Sequence, residues 1–246
     1  KNPDRVLIGG DNKQSINLLS GIYLNWIEKE KIITTDLWSS ELSKLVANAF
    51  LAQRISSINT VSSLCEVTGA DIKNVSLAIG TDRRIGKFFL NAGPGFGGSC
   101  FKKDISNLVY IYNHYGLHEE AAYWQKVIDI NHWQQNRITS LILDKLYGTI
   151  TNKKISILGF SFKANTNDTR ESPAINICKN LIQEGGNLAI YDPQVSQVQI
   201  ENDLNLKENE FFDKDSNNGS WYFSKTILDS VKNADAIIVL TEWDKF

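Results

Sequence analysis

Ile155-Ser156-Ile157-Leu158-Gly159-Phe160 marks the point where helical periodicity gives way to short apolar runs. An apolar run that ends in glycine is typical of a buried strand followed by a tight turn. Pro173 to Glu184 then has helical spacing, and Leu188 to Asp192 is a second short apolar run. This strand–helix–strand order predicts a parallel sheet with helices on its faces.

The rest of the C-terminal part extends this pattern. The segment from Pro193 to about Phe223 is polar and rich in Asn and Asp, which predicts a long loop, whereas Thr226 to Asn233 is helical and Ala236 to Thr241 is a last strand. We therefore expect a doubly wound, Rossmann-like sheet, with ligands bound beyond the carboxyl ends of its strands. Gly159 to Lys163 lies at such an end, but it is not a full GxGxxG motif and does not by itself indicate dinucleotide binding.

Upstream of the strands, the chain is mainly helical. Helices are predicted from Ser15 to about Lys29, from an N-cap at Ser39 or Ser40 to Gly69, from Asp71 to Ile79, from Ile105 to about Tyr115 and from Glu119 to Tyr147. Arg5 to Gly10 and Ile32 to Thr35 look extended. The fold class is thus α/β, a central helical domain followed by a parallel-sheet domain.

Three parts of the chain are expected. Residues 1–10 form the last strand of a domain that precedes the chain, residues 11–150 the helical domain, and residues 151–246 the sheet domain. The sequence begins at Lys1 and contains no Met, so we expect a piece of a longer protein. The helix that starts near Ser40 is apolar on more than one face, which predicts burial between other elements or between subunits.

Composition excludes several functional classes. The formal net charge is −2, without the basic balance that nucleic-acid binding favours. No apolar run approaches the roughly 20 residues that span a bilayer. The cysteines, Cys65, Cys100 and Cys178, are scattered, which favours reduced thiols in the cytoplasm over disulfides. The histidines form no metal-binding pattern, so no metal is expected.

The glycine-rich stretch from Gly93 to Asp104, GPGFGGSCFKKD, has the composition of a reactive loop. Its glycines permit close approach of backbone N–H groups to an anion or a developing oxyanion. Lys102 and Lys103 follow Cys100 and would favour its thiolate, the reactive form. Asp104 is close enough to handle a proton. The alternative is a flexible turn with Cys100 as a small buried residue.

Two other polar pairs remain ambiguous on spacing alone. Lys44 and Asn48 lie one helical turn apart, opposite the first apolar stripe of their helix, which fits a solvated face as well as a site. Arg83 and Arg84 are adjacent cations that fit either an ordinary surface or a diphosphate site.

Gly95 to Asp104 resembles the nucleophile segment of the UDP-glucose/GDP-mannose dehydrogenase family. Ser39 to Phe50 is similar to the central-helix motif of that family, and Gly159 to Lys163 to its uridine diphosphate segment. Asp168 to Ser172 is similar to a segment whose Arg reaches NAD. The resemblance covers the chain from Asn2 to Phe246, without the N-terminal NAD-binding domain and the carboxylate base of the family.

The resemblance implies roles for individual residues. Cys100, Lys44, Asn48 and Asp104 would be catalytic. Substrate contacts would come from Lys44, Leu45, Val46, Ala47, Asn48, Arg84, Asn91, Ala92, Gly93, Pro94, Gly95, Phe96, Gly97, Phe162 and Lys163, with Arg84 reaching the substrate of a neighbouring subunit. NAD would meet Cys100, Phe101, Lys102, Lys103 and Arg170. Asn91 departs from the Lys of animal relatives.

The implied reaction oxidises UDP-glucose to UDP-glucuronate with NAD, in two hydride transfers through a thiohemiacetal and a thioester on Cys100. The implied assembly is a homodimer through the central helix, with higher oligomers left open. Without the NAD-binding domain, we expect the chain alone to be inactive. Alternatives are a sibling enzyme acting on a UDP-N-acetyl-hexosamine or GDP-mannose, an inactive dimerising module that binds nucleotide sugars, and a thiol hydrolase using Cys100 with a distant His.

Overall fold

The computed structural model describes residues 3–209 and 219–246 of the chain. Its elements are β1 (Val6–Gly9), α1 (Lys13–Tyr23), β2 (Ile32–Thr35), α2 (Leu37–Thr68), α3 (Ile72–Thr81), α4 (Phe101–His114), α5 (His118–Lys145), β3 (Lys154–Leu158), α6 (Pro173–Gln183), β4 (Asn187–Tyr191), α7 (Gln197–Leu204), β5 (Trp221–Phe223), α8 (Ile227–Val231) and β6 (Ala236–Val239). A helical part followed by a parallel-sheet part was predicted, and this class is confirmed.

The C-terminal sheet has the strand order β5-β4-β3-β6, and each of its pairings is parallel. Leu158 at the end of β3 is in register with Tyr191 on one side and Val239 on the other. The carboxyl ends of three strands therefore meet at one edge, as the sequence predicted, and the segments that follow them lie together.

Helices cover both faces of this sheet. Ile155 and Ile157 face the main core, whereas the alternate residue Ser156 bonds through Oγ to Ser230 Oγ of α8 at 2.6 Å. The main core joins β3 and β4 to α6 and α7. It contains the buried residues Ile150, Ile155, Ile157, Phe160, Ala174, Ile177, Cys178, Leu181, Ile182, Leu188, Ile190, Val195, Ile200, Leu204, Leu206 and Trp221.

In the helical part, α2, α4 and α5 pack around a smaller core. Its buried members are Ala49, Ala52, Phe96, Ile105, Leu108, Trp124, Val127 and Ile128. The α2 positions that face this core include Ala49, Ala52 and Ser56, whose small side chains allow the neighbouring helices to approach closely. No helix in the described ranges is long and apolar enough to cross a bilayer.

The start of α2 differs from the prediction. Its N-cap is Asp36, not Ser39 or Ser40, and the Asp36 carboxylate accepts hydrogen bonds from the Ser39 N–H at 2.8 Å and the Ser39 hydroxyl at 2.7 Å. These bonds, the backbone one first, lower the pKa of Asp36 below its ordinary value. An Asp three residues earlier competes well for the same role, because Asp and Ser are similarly good caps.

The N-terminal segment forms a small βαβ unit. β1 and β2 pair in parallel, with Val6 opposite Ile32, so segment 1–10 is joined to residues beyond it, and the division at residue 10 stays a prediction. The helix predicted to reach Lys29 ends at Tyr23. The Asn25 side chain donates to the carbonyls of Gly21 and Ile22, which removes them from further helical pairing.

One other predicted helix start and one predicted loop were wrong. α4 begins at Phe101 rather than Ile105. The segment 193–223, predicted as a loop, contains α7, which Ser196 caps, and β5. Ile200 and Leu204, one turn apart, are fully buried, and this pair sets the helix despite its polar surroundings. Residues 210–218 of that segment lie outside the described residues.

Candidate active site

Cys100 lies at the entrance of α4, on the surface. It occupies the N-cap position of that 14-residue helix, and its thiol is exposed, whereas Cys65 and Cys178 are buried. The interpretation of Cys100 as a small core residue is therefore wrong. The Ser99 Oγ, 3.8 Å from the Sγ, is its hydrogen-bonding neighbour among the described residues.

Asp104 follows Cys100 by one helical turn and is buried, with 4% of its surface exposed. Its Oδ2 accepts hydrogen bonds from Lys44 Nζ at 2.8 Å and from Asn48 Nδ2 at 2.5 Å. Asp104 is therefore inside α4 and bonded to α2, not a helix cap. Lys44 and Asn48, which spacing left ambiguous, turn toward α4 and the cysteine.

The charge arrangement around Cys100 involves cations from two domains. The pKa of Lys44 is raised, first by its hydrogen bond to Asp104, then by the negative charges of Asp104 and Cys100. The pKa of Arg170 is raised mainly by its pairing with Asp168, and Cys100 adds a smaller effect. Lys102, by contrast, is paired with Glu171 at 2.8 Å. Lys44 and Arg170 thus lie within electrostatic reach of the sulfur.

Buried amides hold the glycine loop from the helical side. Asn131 of α5 bonds to both backbone groups of Phe96, while Asn59 of α2 and Gln134 of α5 bond to those of Gly93. None of these three amides was among the predicted site residues. Asn131 and Gln134 continue the buried stripe of Trp124, Val127 and Ile128 on α5, and polar residues on such a stripe are the signal that could have found them.

The C-terminal domain holds the same loop from the other side. The Gly98 N–H donates to the Arg170 carbonyl at 2.8 Å. A Cβ at Gly97 would lie 2.6 Å from the Glu171 carbonyl oxygen and 2.8 Å from Phe162 Cβ, and one at Gly98 would touch the Phe162 ring. Glycine is therefore required where the loop and the sheet domain meet. This contact brings Phe162 together with the nucleophile loop.

A buried carboxylate shapes the turn after β3. Asp192 Oδ2, at the end of β4, accepts from the N–H groups of Phe160 at 2.7 Å and Ser161 at 3.1 Å, and from the Trp243 indole at 3.3 Å. Three strand ends thereby fix the turn that leads to Phe162. The Lys163 ammonium stands 5.4 Å from the Phe162 ring centroid, with its charge beside the edge of the sheet.

The remaining substrate candidates are dispersed. Leu45, Val46 and Ala47 are half-buried on α2, and Val46 packs on the helical core. Asn91 and Ala92 line a cleft of about 540 Å³ between α3 and Glu242, which follows β6. Pro94 is half-buried in the glycine loop.

Arg84 is exposed and pairs with Asp82 at 2.6 Å, and its predicted contact with the substrate of a neighbouring subunit stays a prediction. The turn that follows Arg84 is fastened to α2 by Arg54. The guanidinium of Arg54 donates to the carbonyls of Ile85, Gly86 and Phe88 at 2.7–3.0 Å. No pattern in the sequence indicates this contact.

Three of the five residues assigned to NAD, Lys102, Lys103 and Arg170, line a second cleft that includes Ser99, the neighbour of Cys100. It has a volume of about 460 Å³ and is formed by Ser99, Lys102, Lys103, Ser106, Arg170 and Glu171. Phe101 is directed inward and meets Phe96 with ring centroids 5.8 Å apart. Two of the three histidines have partners away from Cys100, because His114 stacks with Tyr110 and His118 bonds to Asn113. His132 lines a separate cleft with Phe96 and Lys102, and Cys100 is not among its lining residues. A hydrolase pair of Cys100 with His gains no support.

Sequence comparison identifies relatives over the whole chain. UDP-glucose 6-dehydrogenase 4 of Arabidopsis thaliana is 52% identical, with 100% of this chain and 53% of the relative covered. UDP-glucose 6-dehydrogenase of Mus musculus is 53% identical, with 100% and 50% covered. The chain thus spans about half the length of the curated relatives it matches. A UDP-glucose dehydrogenase structure from the archaeon Pyrobaculum islandicum has a TM-score of 0.85 at 27% identity, covering 99% of this chain and 52% of that one.

Two family models match consecutive parts of the chain. The central domain of the UDP-glucose/GDP-mannose dehydrogenase family matches residues 38–133, and the UDP binding domain of the same family matches residues 156–246. The first range contains the helices that carry Lys44 and Cys100, and the second contains the sheet whose edge holds Phe162. The chain therefore belongs to the UDP-glucose/GDP-mannose dehydrogenase family.

Proposed function

We infer that this chain supplies the nucleotide-sugar site and the nucleophile of an NAD-dependent UDP-glucose 6-dehydrogenase. The observation that carries the proposal is the cluster in which buried Asp104 binds Lys44 and Asn48 one helical turn after exposed Cys100. Relatives that are 52–53% identical over the aligned region are named for UDP-glucose, which favours this sugar over the sibling substrates.

Cys100 has the position of a nucleophile. Attack of its thiolate on the C6 aldehyde forms a carbon–sulfur bond, and the carbonyl electron pair moves onto the C6 oxygen. Lys44 Nζ has three N–H bonds and Asn48 Nδ2 has two, so each keeps a donor beyond its bond to Asp104. These donors are placed to stabilise the oxyanion of the thiohemiacetal.

Asp104 has the position of a base for the final hydrolysis. Oxidation of the thiohemiacetal leaves a thioester, and water must lose a proton to attack its carbonyl carbon and release the thiol. Both hydrogen bonds of the Asp104 carboxylate to α2 use Oδ2, which leaves Oδ1 outside them. Oδ1 can accept the water proton, and a general base in that place typically contributes about 10²–10⁴-fold.

The cleft beside Cys100 fits one side of an NAD site. Its cations Lys103 and Arg170 suit a diphosphate or a nicotinamide ribose, and it opens directly next to Ser99 and the cysteine. NAD bound there would accept one hydride, so the two oxidations would use two molecules of NAD in succession. The part of this chain is to hold the sugar, the sulfur and the water in place.

UDP-glucose is expected to bind this chain and to shield Cys100. At ten times its Kd, the ligand should slow alkylation of Cys100 by iodoacetamide about tenfold, because only the free protein reacts. Alkylation is followed by peptide mass spectrometry, and Cys65 and Cys178 serve as buried internal controls. If GDP-mannose or UDP-N-acetylglucosamine slows the alkylation more than UDP-glucose does at the same concentration, the chain instead belongs to a sibling enzyme. Equal rates with and without each ligand would contradict the nucleotide-sugar site.

We also expect self-association through α2. Phe50, Leu64 and Val67 on this helix are 56%, 63% and 86% exposed, more apolar surface than a solvated helix usually carries. Sedimentation velocity at micromolar concentration should give twice the mass of the chain, and Leu64→Asp should shift it toward the monomer. Val198→Asp on α7, where the side chain is 64% exposed, is the matched control. A monomeric wild type would contradict the dimer.

A further inference from the structure

The backbone of the glycine-rich loop before Cys100 is hydrogen-bonded to buried amide side chains. We propose that Asn131 is a positioning residue, which fixes the Gly95–Phe96 peptide and through it the nucleotide-sugar site and Cys100. The proposal rests on the function inferred above, since it assigns a role within the same site. Asn131 lies on α5, 31 residues after the cysteine, and it is not among the catalytic, substrate-binding or NAD-binding residues that the family resemblance implies.

Asn131 makes two hydrogen bonds to one residue. Its Oδ1 accepts from the Phe96 N–H at 2.8 Å, and its Nδ2 donates to the Phe96 carbonyl at 3.0 Å. This pairing resembles that of neighbouring strands and fixes two consecutive peptide planes at once. Asn131 is only 5% exposed, so water cannot readily replace either bond.

Gly95 is shaped to accept this side chain. Its φ is +128°, a region that side chains rarely adopt, and an added Cβ would lie 2.6 Å from Asn131 Oδ1. Glycine is thus required at position 95 both by its positive φ and because the Asn131 side chain packs directly against its Cα. A substitution at either partner disturbs the same peptide.

A second pair of hydrogen bonds holds the loop at Gly93, two residues before Gly95. Asn59 Oδ1 accepts from the Gly93 N–H at 2.9 Å, and Gln134 Nε2 donates to the Gly93 carbonyl at 2.8 Å. Asn59 is fully buried, and its Nδ2 has no hydrogen-bond partner among the described residues. A buried donor without a partner is unfavourable. That the fold tolerates Asn59 Nδ2 in this state indicates that Asn59 Oδ1 is needed to bind the Gly93 N–H.

Position is transmitted from Asn131 to the cysteine through aromatic packing. The Phe96 ring is buried in the helical core and meets the ring of Phe101, the residue after Cys100, edge to face at 5.8 Å. Release of the Phe96 peptide therefore loosens both the glycine loop and the entrance of α4.

The variant Asn131→Asp tests this role. At pH 8 its carboxylate can accept from the Phe96 N–H but cannot donate to the Phe96 carbonyl, and we expect about tenfold weaker binding of UDP-glucose by calorimetry. A protonated carboxyl has a donor and an acceptor like the amide, and burial raises its pKa. The ratio of variant to wild-type Kd should therefore fall toward one as the pH is lowered from 8 to 5. A ratio of one at pH 8, or one that does not change with pH, overturns the proposal.

Ser56→Ala is the matched control. Its hydroxyl donates to the Val127 carbonyl at 2.9 Å, so this variant loses a buried bond between α2 and α5 without touching the loop. It should lower the melting temperature but leave the Kd unchanged; an equal loss of affinity overturns a specific role for Asn131.

If Asn131→Asp does not fold, hydrogen exchange of the wild-type protein still tests the proposal. The Phe96 amide should exchange its hydrogen as slowly as the α5 core does, and exchange at the rate of an exposed amide overturns the proposal. This readout needs no ligand, so it still decides on the loop if UDP-glucose fails to bind and the proposed function is rejected.

Discussion

Asp104→Asn is expected to stop the proposed reaction after its oxidations. The test uses an enzyme of the relatives' full length that contains this chain. Hydrolysis of the thioester should slow by about 10²–10⁴-fold, because an amide cannot take a proton from the attacking water. The oxidations need no such water, so a burst of NADH should precede slow turnover. Intact-protein mass spectrometry should then detect the thioester of the oxidised nucleotide sugar on Cys100.

The substitution isolates the base from the neighbouring charge. An asparagine oxygen can still accept hydrogen bonds from Lys44 and Asn48, which now bind Asp104 Oδ2. The pKa of Lys44 is raised chiefly by its hydrogen bond to Asp104, and its ordinary value is 10.5. Lys44 therefore stays protonated at neutral pH in the variant, and its charge continues to stabilise the C6 oxygen.

Two controls bracket this result. Asp129→Asn makes the same change on α5, where the carboxylate pairs with Lys126, and should leave turnover unaltered. Cys100→Ala in the Asp104→Asn background should remove the adduct. Turnover at the wild-type rate, or the absence of both burst and adduct, would show that Asp104 is not the base.

Gly97→Ala should have the second largest effect. The new methyl group would lie 2.6 Å from a backbone oxygen of Glu171, 2.8 Å from Phe162 Cβ and 3.1 Å from Pro173 Cδ. Backbone atoms cannot move aside as a flexible side chain can, so the loop and the sheet domain must separate. We expect a loss of about 1–3 kcal/mol in the free energy of unfolding. UDP-glucose binding should weaken about tenfold or more, since tenfold requires only about 1.4 kcal/mol.

Gly93→Ala provides the comparison within the same loop. Gly93 has no positive φ, and a Cβ there meets nothing within 4 Å. Its free energy of unfolding, measured by urea denaturation, should equal that of the wild type or slightly exceed it, because alanine narrows the unfolded ensemble. Equal behaviour of the two variants would contradict the close contact at Gly97.

Periodicity predicted most of the fold because the decisive residues are adjacent in sequence. The run at Ile155 and the glycine that follows it were sufficient for β3 and its turn, and the helical pattern before Gly148 was sufficient for α5. The errors fall where a few residues outweigh their surroundings. Asp36 displaces the predicted cap of α2, and Ile200 with Leu204 forms a helix within a polar segment.

The site divides in the same way. Cys100 and Asp104 stand in one short motif, and Lys44 with Asn48 in another, so resemblance could name them. Their meeting at Asp104 Oδ2 joins residues 56 to 60 positions apart and required the tertiary structure. Within the described part of the chain, the side chains of Asn59, Asn131 and Arg54 bind backbone groups, and a sequence does not reveal which backbone group a side chain meets. Only the place of Asn131 on the buried stripe of α5 could have drawn attention to it. The inactivity of the isolated chain and the limits of its domains stay predictions.

The hydrogen bond from the Gly98 N–H to the Arg170 carbonyl has a mechanical consequence. One end of the glycine loop is anchored in the helical domain, and the other end is attached to the sheet domain two residues before Cys100. A rotation of one domain against the other must therefore twist the peptide beside the sulfur. Closure around a nucleotide sugar and alignment of the thiolate would then be a single movement, and an open enzyme would keep its nucleophile out of line.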